Sequence, residues 1–284
     1  MSNKEIVVVG SLNLDLVATV PRNPAPGETI SGTSFQRFTG GKGANQAVAA
    51  AQSGGSVAMI GRHGTDGFEV ELLHALRSRG VDVSGITPAN GSSGIAMILV
   101  TESGQNSIVV IPGSNGRLSA ENIRQGHQRI ASAGIVLAQL ETPLDCLEET
   151  LRIACAAGVP VIVDPAPVQS LDPALVRQIS WLTPNETEAA FLCGAPVPPV
   201  EEMRPFAERF LAMGVRNLLL KLGERGAYLA TEDGLREHIP GHAVKMVDST
   251  GAGDALNGAL ATALMEGCDP VEAARFSVAA AAIS

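Results

Sequence analysis

From Ser119 onward, helix-like and strand-like segments alternate, and nothing else in the chain limits its fold so strongly. Helix Ser119–Ile130 precedes strand Ile135–Gln139, and helix Leu144–Ala157 precedes strand Val159–Asp164. A helix near Pro173–Ile179 leads to strand Trp181–Thr183. Helices near Glu186–Leu192 and Glu201–Met213 lead to strand Asn217–Lys221. Short apolar runs alternating with amphipathic helices predict an α/β fold. Its expected form is a doubly wound, mostly parallel sheet flanked by helices. Ile6-Val7-Val8-Val9-Gly10 reads as a further buried strand of that sheet. Ligands of such sheets sit at the carboxyl ends of the strands. The polar residues Asn13, Asp15, Glu141, Asp164, Asn185, Glu188, Lys221 and Asp254 all fall at those ends, which predicts one functional rim.

Two stretches depart from the alternation. Residues 12–37 and 94–111 are strand-like without intervening helices, including a strand-like run from Glu28 to Phe38. Gly94–Val100 and Ser107–Ile111 read as a hairpin around Glu102-Ser103-Gly104-Gln105. These pieces are expected to pair into a small sheet standing off the main one. Thr39-Gly40-Gly41-Lys42-Gly43-Ala44-Asn45-Gln46 is a glycine turn opening an alanine-rich helix. It fails the P-loop spacing, and Gln46 occupies the place of the last glycine of a dinucleotide fingerprint. Lys42 and Asn45 stay at the helix mouth, free to meet a ligand.

The stretch Met246 to Gly258 reads as strand end, glycine turn and helix start. Gly251 and Gly253 leave first-turn amides uncovered, and such amides can face an anion. Asp254 lies one residue further on. An acid beside an anion site makes chemical sense when a cation or a transferring phosphoryl group comes between them.

The net charge of −9, with no basic run, argues against nucleic acid and anionic membrane as partners. It does not argue against ATP, whose phosphates are neutralised locally by amides, lysine and metal. Cys146, Cys155, Cys193 and Cys268 form no Cys-x-x-Cys pair and read as buried thiols of a reducing compartment. The N-terminus shows no signal peptide, and no apolar run is long enough to span a bilayer, so a soluble, cytoplasmic protein is expected.

Seven segments in order resemble the PfkB family of carbohydrate kinases. They are Gly10–Asp15, Pro26–Thr29, Gly40–Ala47, Gln139–Pro143, Asp164–Pro167, Thr183–Ala189 and Asp248–Gly258. The resemblance implies the ribokinase-like fold and an ATP-dependent kinase acting on the 5-hydroxyl of D-ribose. Residues 1–11, 38–93 and 112–284 would form the large nucleotide-binding domain, with 12–37 and 94–111 as a small β lid. Asn13, Asp15, Gly41, Lys42, Asn45 and Glu141 would hold the sugar. Asp254 would accept the proton of the attacking hydroxyl, with the amides of Gly251, Ala252 and Gly253 as the anion hole. Asn185 and Glu188 would organise the phosphates and Mg²⁺ through water. Lys221, Gly223 and Gly226 would line the nucleotide site, Lys221 standing where a small hydroxyl residue is expected. Asp248 and Thr250 would ligate a monovalent cation, K⁺. The lid would also be the surface of a homodimer.

The resemblance further implies a glycine-containing loop and a final helix beyond Ser284, carrying more of the cation and adenine sites. Val278 is expected to wall the base in their place. Two alternatives stand beside ribose phosphorylation. One is a related kinase for deoxyribose, fructose or a nucleoside. The other is a catalytically weak sugar-binding regulatory protein.

Overall fold

The structure, a computed structural model, describes residues 4–244 and 251–284. Strand β1 (Ile6–Val9) is buried along its whole length. The chain then passes directly into β2 (Asn13–Val20) and β3 (Ser34–Gly40), returns through the helix Lys42–Gln52, and adds β4 (Val57–His63) and β5 (Val81–Pro88). The hairpin β6 (Gly94–Thr101) and β7 (Asn106–Ile111) follows. From there helices alternate with β8 (Ile135–Ala138), β9 (Val161–Val163), β10 (Trp181–Leu182) and β11 (Asn217–Lys221). The final strands are β12 (Ala227–Thr231) and β13 (Arg236–Ile239), before the helices Ala252–Glu266 and Pro270–Ile283.

Among the described residues these strands make two sheets. The larger has the order β13-β12-β11-β10-β9-β8-β1-β4-β5, and the smaller β3-β2-β6-β7. The larger is parallel from β5 to β11 and closes with an antiparallel edge, β11-β12-β13. Successive side chains of a strand point to opposite faces. Val7 and Val9 therefore join one core layer, with Val136, Ala138, Val161, Val163, Leu218 and Leu220. Ile6 and Val8 join the other, with Ile135, Leu137, Ile162 and Leu219. A continuous apolar run in sequence is thus a strand covered on both sides. In the second layer Ala44, Ala47 and Ala50 of the Lys42–Gln52 helix lie under the Ala252–Glu266 helix. Their small side chains let the two helices approach closely.

Several boundaries differ from expectation. Strand β3 begins at Ser34, not Glu28, because Glu28 is occupied elsewhere. It pairs with Arg22 and accepts from the Ala25 N–H at 2.9 Å, which closes the proline turn into a loop. Helix 119–130 is two pieces, Ala120–Gln125 and His127–Ser132. Gly126 separates them, a poor helix former whose missing side chain leaves room for Ile60. Strand β5 and the antiparallel edge were not anticipated. Val278 is 5% exposed within the core, so it packs the fold and does not wall an open site. Of the cysteines only Cys146 is buried, and Cys155 is exposed; all four are free thiols. No helix among the described residues is long and apolar enough to cross a membrane.

Candidate active site

The chain crosses between the two sheets beside a cluster of glycines. A Cβ on Gly43 would come within 2.7 Å of the Gly10 backbone, so the Lys42–Gln52 helix can start there only if both residues are glycine. The Gly43 N–H donates to Ser11 Oγ at 3.2 Å, and Ser11 Oγ donates to Glu141 Oε2 at 2.5 Å. The Lys42 N–H donates to the same Glu141 oxygen at 3.0 Å. Glu141, from the loop after β8, is thereby fixed to the mouth of the helix. Gly41, its N-cap, has φ +90° and no side-chain cap bond.

Asn13 and Asp15 enter from the first residues of β2. Asn13 Oδ1 accepts from Asn115 Nδ2 at 2.7 Å, and Asn115 also brackets Leu12, accepting its N–H and donating to its carbonyl. Asn115 follows β7, so it ties the far end of the small sheet to the strand that bears Asn13. Burial pushes the Asp15 carboxyl up to about 6, helped by the negative charge of Glu141.

Asp254 lies in the first turn of the Ala252–Glu266 helix, whose N-cap Gly251 has φ +83°. Only 6% exposed, it is held at both oxygens: Asn45 Nδ2 donates to Oδ2 at 3.1 Å and Gln46 Nε2 to Oδ1 at 3.0 Å. Burial raises the Asp254 carboxyl above the usual range, against the pull of Lys42 and these two amides. Burial likewise opposes the charge on Lys42. The surrounding Asp254, Asp164, Glu141 and Glu188 outweigh it and raise the lysine above its ordinary value. A cleft of about 160 Å³, lined in part by Leu12, Thr39, Asn45, Gly251, Asp254 and Ala255, opens onto this group.

Asn185, Glu188 and Lys221 form the other half of the rim. Asn185 caps the Glu186–Cys193 helix by accepting the Glu188 N–H at 2.9 Å. The Asn185 N–H and Nδ2 donate back to the Glu188 carboxylate, each at 2.8 Å. Burial raises Glu188, opposed by the Asn185 N–H and by Lys221 and Lys42. Lys221 ends β11 with its N–H bonded to the Pro184 carbonyl at 2.8 Å. Its side chain does not point to solvent. It is 12% exposed, and Nζ donates to Asp164 Oδ1 at 2.8 Å. Nζ stands 3.4 Å from where a Cβ of Gly253 would be. A cation at the positive end of a helix is favourable when an anion joins both. Gly223 is exposed in the turn Gly223–Arg225, while Gly226 is buried with its missing side chain pressed against the Ile239 carbonyl. Asp248 and Thr250 lie outside the described residues.

The structure thus draws Asn45, Lys42, Glu141 and Asp254 together, with Asp15 beside Glu141 and Lys221 beside Gly253. It also enlists residues to which the sequence attached no role. Gln46 joins Asp254 to Asp164, Gln139 donates to Gln46 Oε1 at 2.7 Å, and Asn115 anchors Asn13. Gln46 and Gln139 fall inside the motif segments, which was the available signal; Asn115 had none.

The model of the pfkB family carbohydrate kinases matches residues 3–284. The ribokinase of Haemophilus influenzae is 41% identical over 282 residues, covering 99% of this chain and 92% of that protein. The ribokinase of Schizosaccharomyces pombe is 37% identical and covers 98% and 91%. The structure of Arabidopsis thaliana ribokinase complexed with ribose and ATP matches with a TM-score of 0.91 at 34% identity. That match covers 98% of this chain and 91% of that one.

Proposed function

The chain belongs to the pfkB family of carbohydrate kinases, and we propose that it phosphorylates the 5-hydroxyl of D-ribose with ATP, giving ribose 5-phosphate and ADP. One observation carries this reading: the buried Asp254 carboxylate is held by Asn45 on the sugar side and stands at a helix N-terminus that Lys221 flanks.

The roles follow from the donor and acceptor types. A furanose offers hydroxyls and no charge. Asp15 and Glu141 accept from them, and Lys42, Asn45 and the Asn13 amide complete the set, with the Gly41 backbone at the helix mouth. A site built this way rejects a sugar lacking a hydroxyl, because its own buried polar groups would be left unpaired. Asp254 takes the proton as the 5-oxygen attacks. Phosphoryl transfer passes through a loose transition state, so fixed geometry matters more than base strength. The amides of Gly251, Ala252 and Gly253 receive the charge on the transferring group. Asn185, Glu188 and Lys221 arrange the phosphates, and the Gly223 to Gly226 turn lines the nucleotide.

Among the described residues no cluster of three or more His, Cys, Asp or Glu can hold a metal ion. That fits Mg²⁺ arriving with ATP, since this ion keeps much of its water and binds through phosphates and one or two carboxylates. Glu188 would be its carboxylate, through water, and the ion would neutralise phosphate charge. Asp248 and Thr250 offer the oxygen donors that a hard monovalent cation such as K⁺ prefers, which would shape the adjoining anion hole.

The small sheet serves as a lid that excludes water, which otherwise competes for the phosphoryl group. Its exposed Phe35, Phe38, Met97, Ile108, Val109 and Val110 also support a homodimer through it. Four free thiols are in keeping with a cytoplasmic setting. The test is coupled ADP release over a panel of ribose, deoxyribose, fructose and nucleosides, with and without K⁺. D-Ribose should give the highest kcat/KM, and K⁺ should raise it. Turnover of deoxyribose, fructose or a nucleoside above ribose, or turnover of nothing in the panel, overturns the reading.

A further inference from the structure

Gln46 is fully buried and spans two carboxylates that would otherwise repel each other. Its Nε2 carries two hydrogens and donates one to Asp254 Oδ1 and one to Asp164 Oδ2, each at 3.0 Å. Its Oε1 accepts from Gln139 Nε2 at 2.7 Å. That third bond and the two carboxylates together fix which way the amide faces. A flip would turn Oε1 toward two carboxylates and set Nε2 against the Gln139 donor. Asp164, 1% exposed, spends its other oxygen on Lys221. The result is one hydrogen-bonded line from the ammonium beside Gly253 to the carboxylate of Asp254.

We infer that Gln46 is a positioning residue for phosphoryl transfer: its amide, oriented by Gln139, clamps Asp254 in register with the phosphate-side Lys221–Asp164 pair. The inference rests on Asp254 being the base. Of the two amides that hold Asp254, Asn45 is also a sugar ligand and must share its donors with the incoming hydroxyls. Gln46 reaches no solvent and keeps both of its donors on carboxylates. It holds the carboxylate rotamer while Asn45 is engaged, and it separates Asp254 from the charge of Asp164. The charged groups acting on Asp254 are Lys42 and Asp164, with Lys221 beyond Asp164 and Glu141 and Glu188 beyond Lys42. A hydrogen bond to an ionised carboxylate favours the ionised form, so removing the Gln46 donor must raise the Asp254 pKa.

The test uses Gln46→Leu and Gln139→Met in the full chain. The second variant leaves Gln46 in place but removes the bond that steadies its Oε1, and it substitutes for the first should Gln46→Leu not fold. Both should lower kcat by about tenfold to a hundredfold, while KM for ribose and for ATP stays within about threefold. The acid limb of the kcat–pH profile should move to higher pH by about one unit in Gln46→Leu, and by less in Gln139→Met. A variant that folds with its acid limb unmoved, or whose loss appears in KM and not in kcat, overturns the inference. Asp254→Asn is measured alongside. If that variant is inactive while both glutamine variants keep the original profile, the clamp alone is refuted. If Asp254→Asn turns over normally, the base assignment fails with it.

Discussion

Asp15 offers the sharpest test of the sugar site, because its charge is set by its surroundings. Burial, and then Glu141, raise its carboxyl from 3.8 to about 6. If the ionised form is the one that accepts ribose hydroxyls, binding must weaken as pH falls through that value. The ionised fraction drops from about 0.99 at pH 8 to about 0.09 at pH 5, so the ribose Kd should rise about tenfold across that range. Calorimetric titration with ribose, without ATP, reads this directly and keeps the chemical step out of the measurement. Asp15→Asn should bind more weakly at pH 8 and lose most of the slope. Glu141→Gln provides a second check. It removes a negative charge that disfavours ionisation of Asp15, so the midpoint of the Kd–pH curve should move down, whatever happens to affinity itself. A flat Kd from pH 5 to 8, a full slope retained in Asp15→Asn, or an upward shift in Glu141→Gln would each refute the assignment.

Further outcomes are expected elsewhere. Asp254→Asn should reduce kcat by about a thousandfold while calorimetric ribose binding changes by less than about threefold. Lys221→Met strands the Asp164 carboxylate in the interior and should cost about 3–5 kcal/mol in denaturant unfolding. Adding Asp164→Asn should recover most of that stability without restoring KM for ATP, because the ammonium beside Gly253 is still gone. Val109→Asp, on a side chain 62% exposed, should turn a dimer into a monomer in sedimentation velocity and leave the melting temperature nearly unchanged.

The sheet was legible because its strands are short apolar runs whose alternate residues fill two separate layers, as Ile6–Val9 do. Such a pattern has few readings. The small sheet was legible for the opposite reason, namely that two stretches refused the helix rhythm. The edge strands Ala227–Thr231 and Arg236–Ile239 were not foreseen, and an extended run can enter a sheet in either direction. The sequence placed Asn13, Asp15, Glu141, Asn185, Glu188 and Asp254 on one rim by assigning them to strand ends, whereas Asn13 and Asp15 open β2 and Asp254 lies in the first turn of a helix. The bonds behind that rim were not legible there. Gln46 meets partners 93, 118 and 208 positions away in the chain. In sequence it lay within a motif segment and ruled out a dinucleotide fingerprint, with no role of its own. An amide acquires its meaning from what folding brings to it. Lys221 shows the same: one carboxylate, Asp164, decides that it points inward.

The contact of Gly10 with Gly43 bears on how far acceptor choice can drift. At that point main chain lies directly on main chain, so there is no side chain to trim and nothing to exchange for a smaller group. Laboratory evolution toward bulkier polyols therefore has no purchase at this contact. New acceptors must be won on the β2 side, where Asn13 and Asp15 present side chains that can be exchanged.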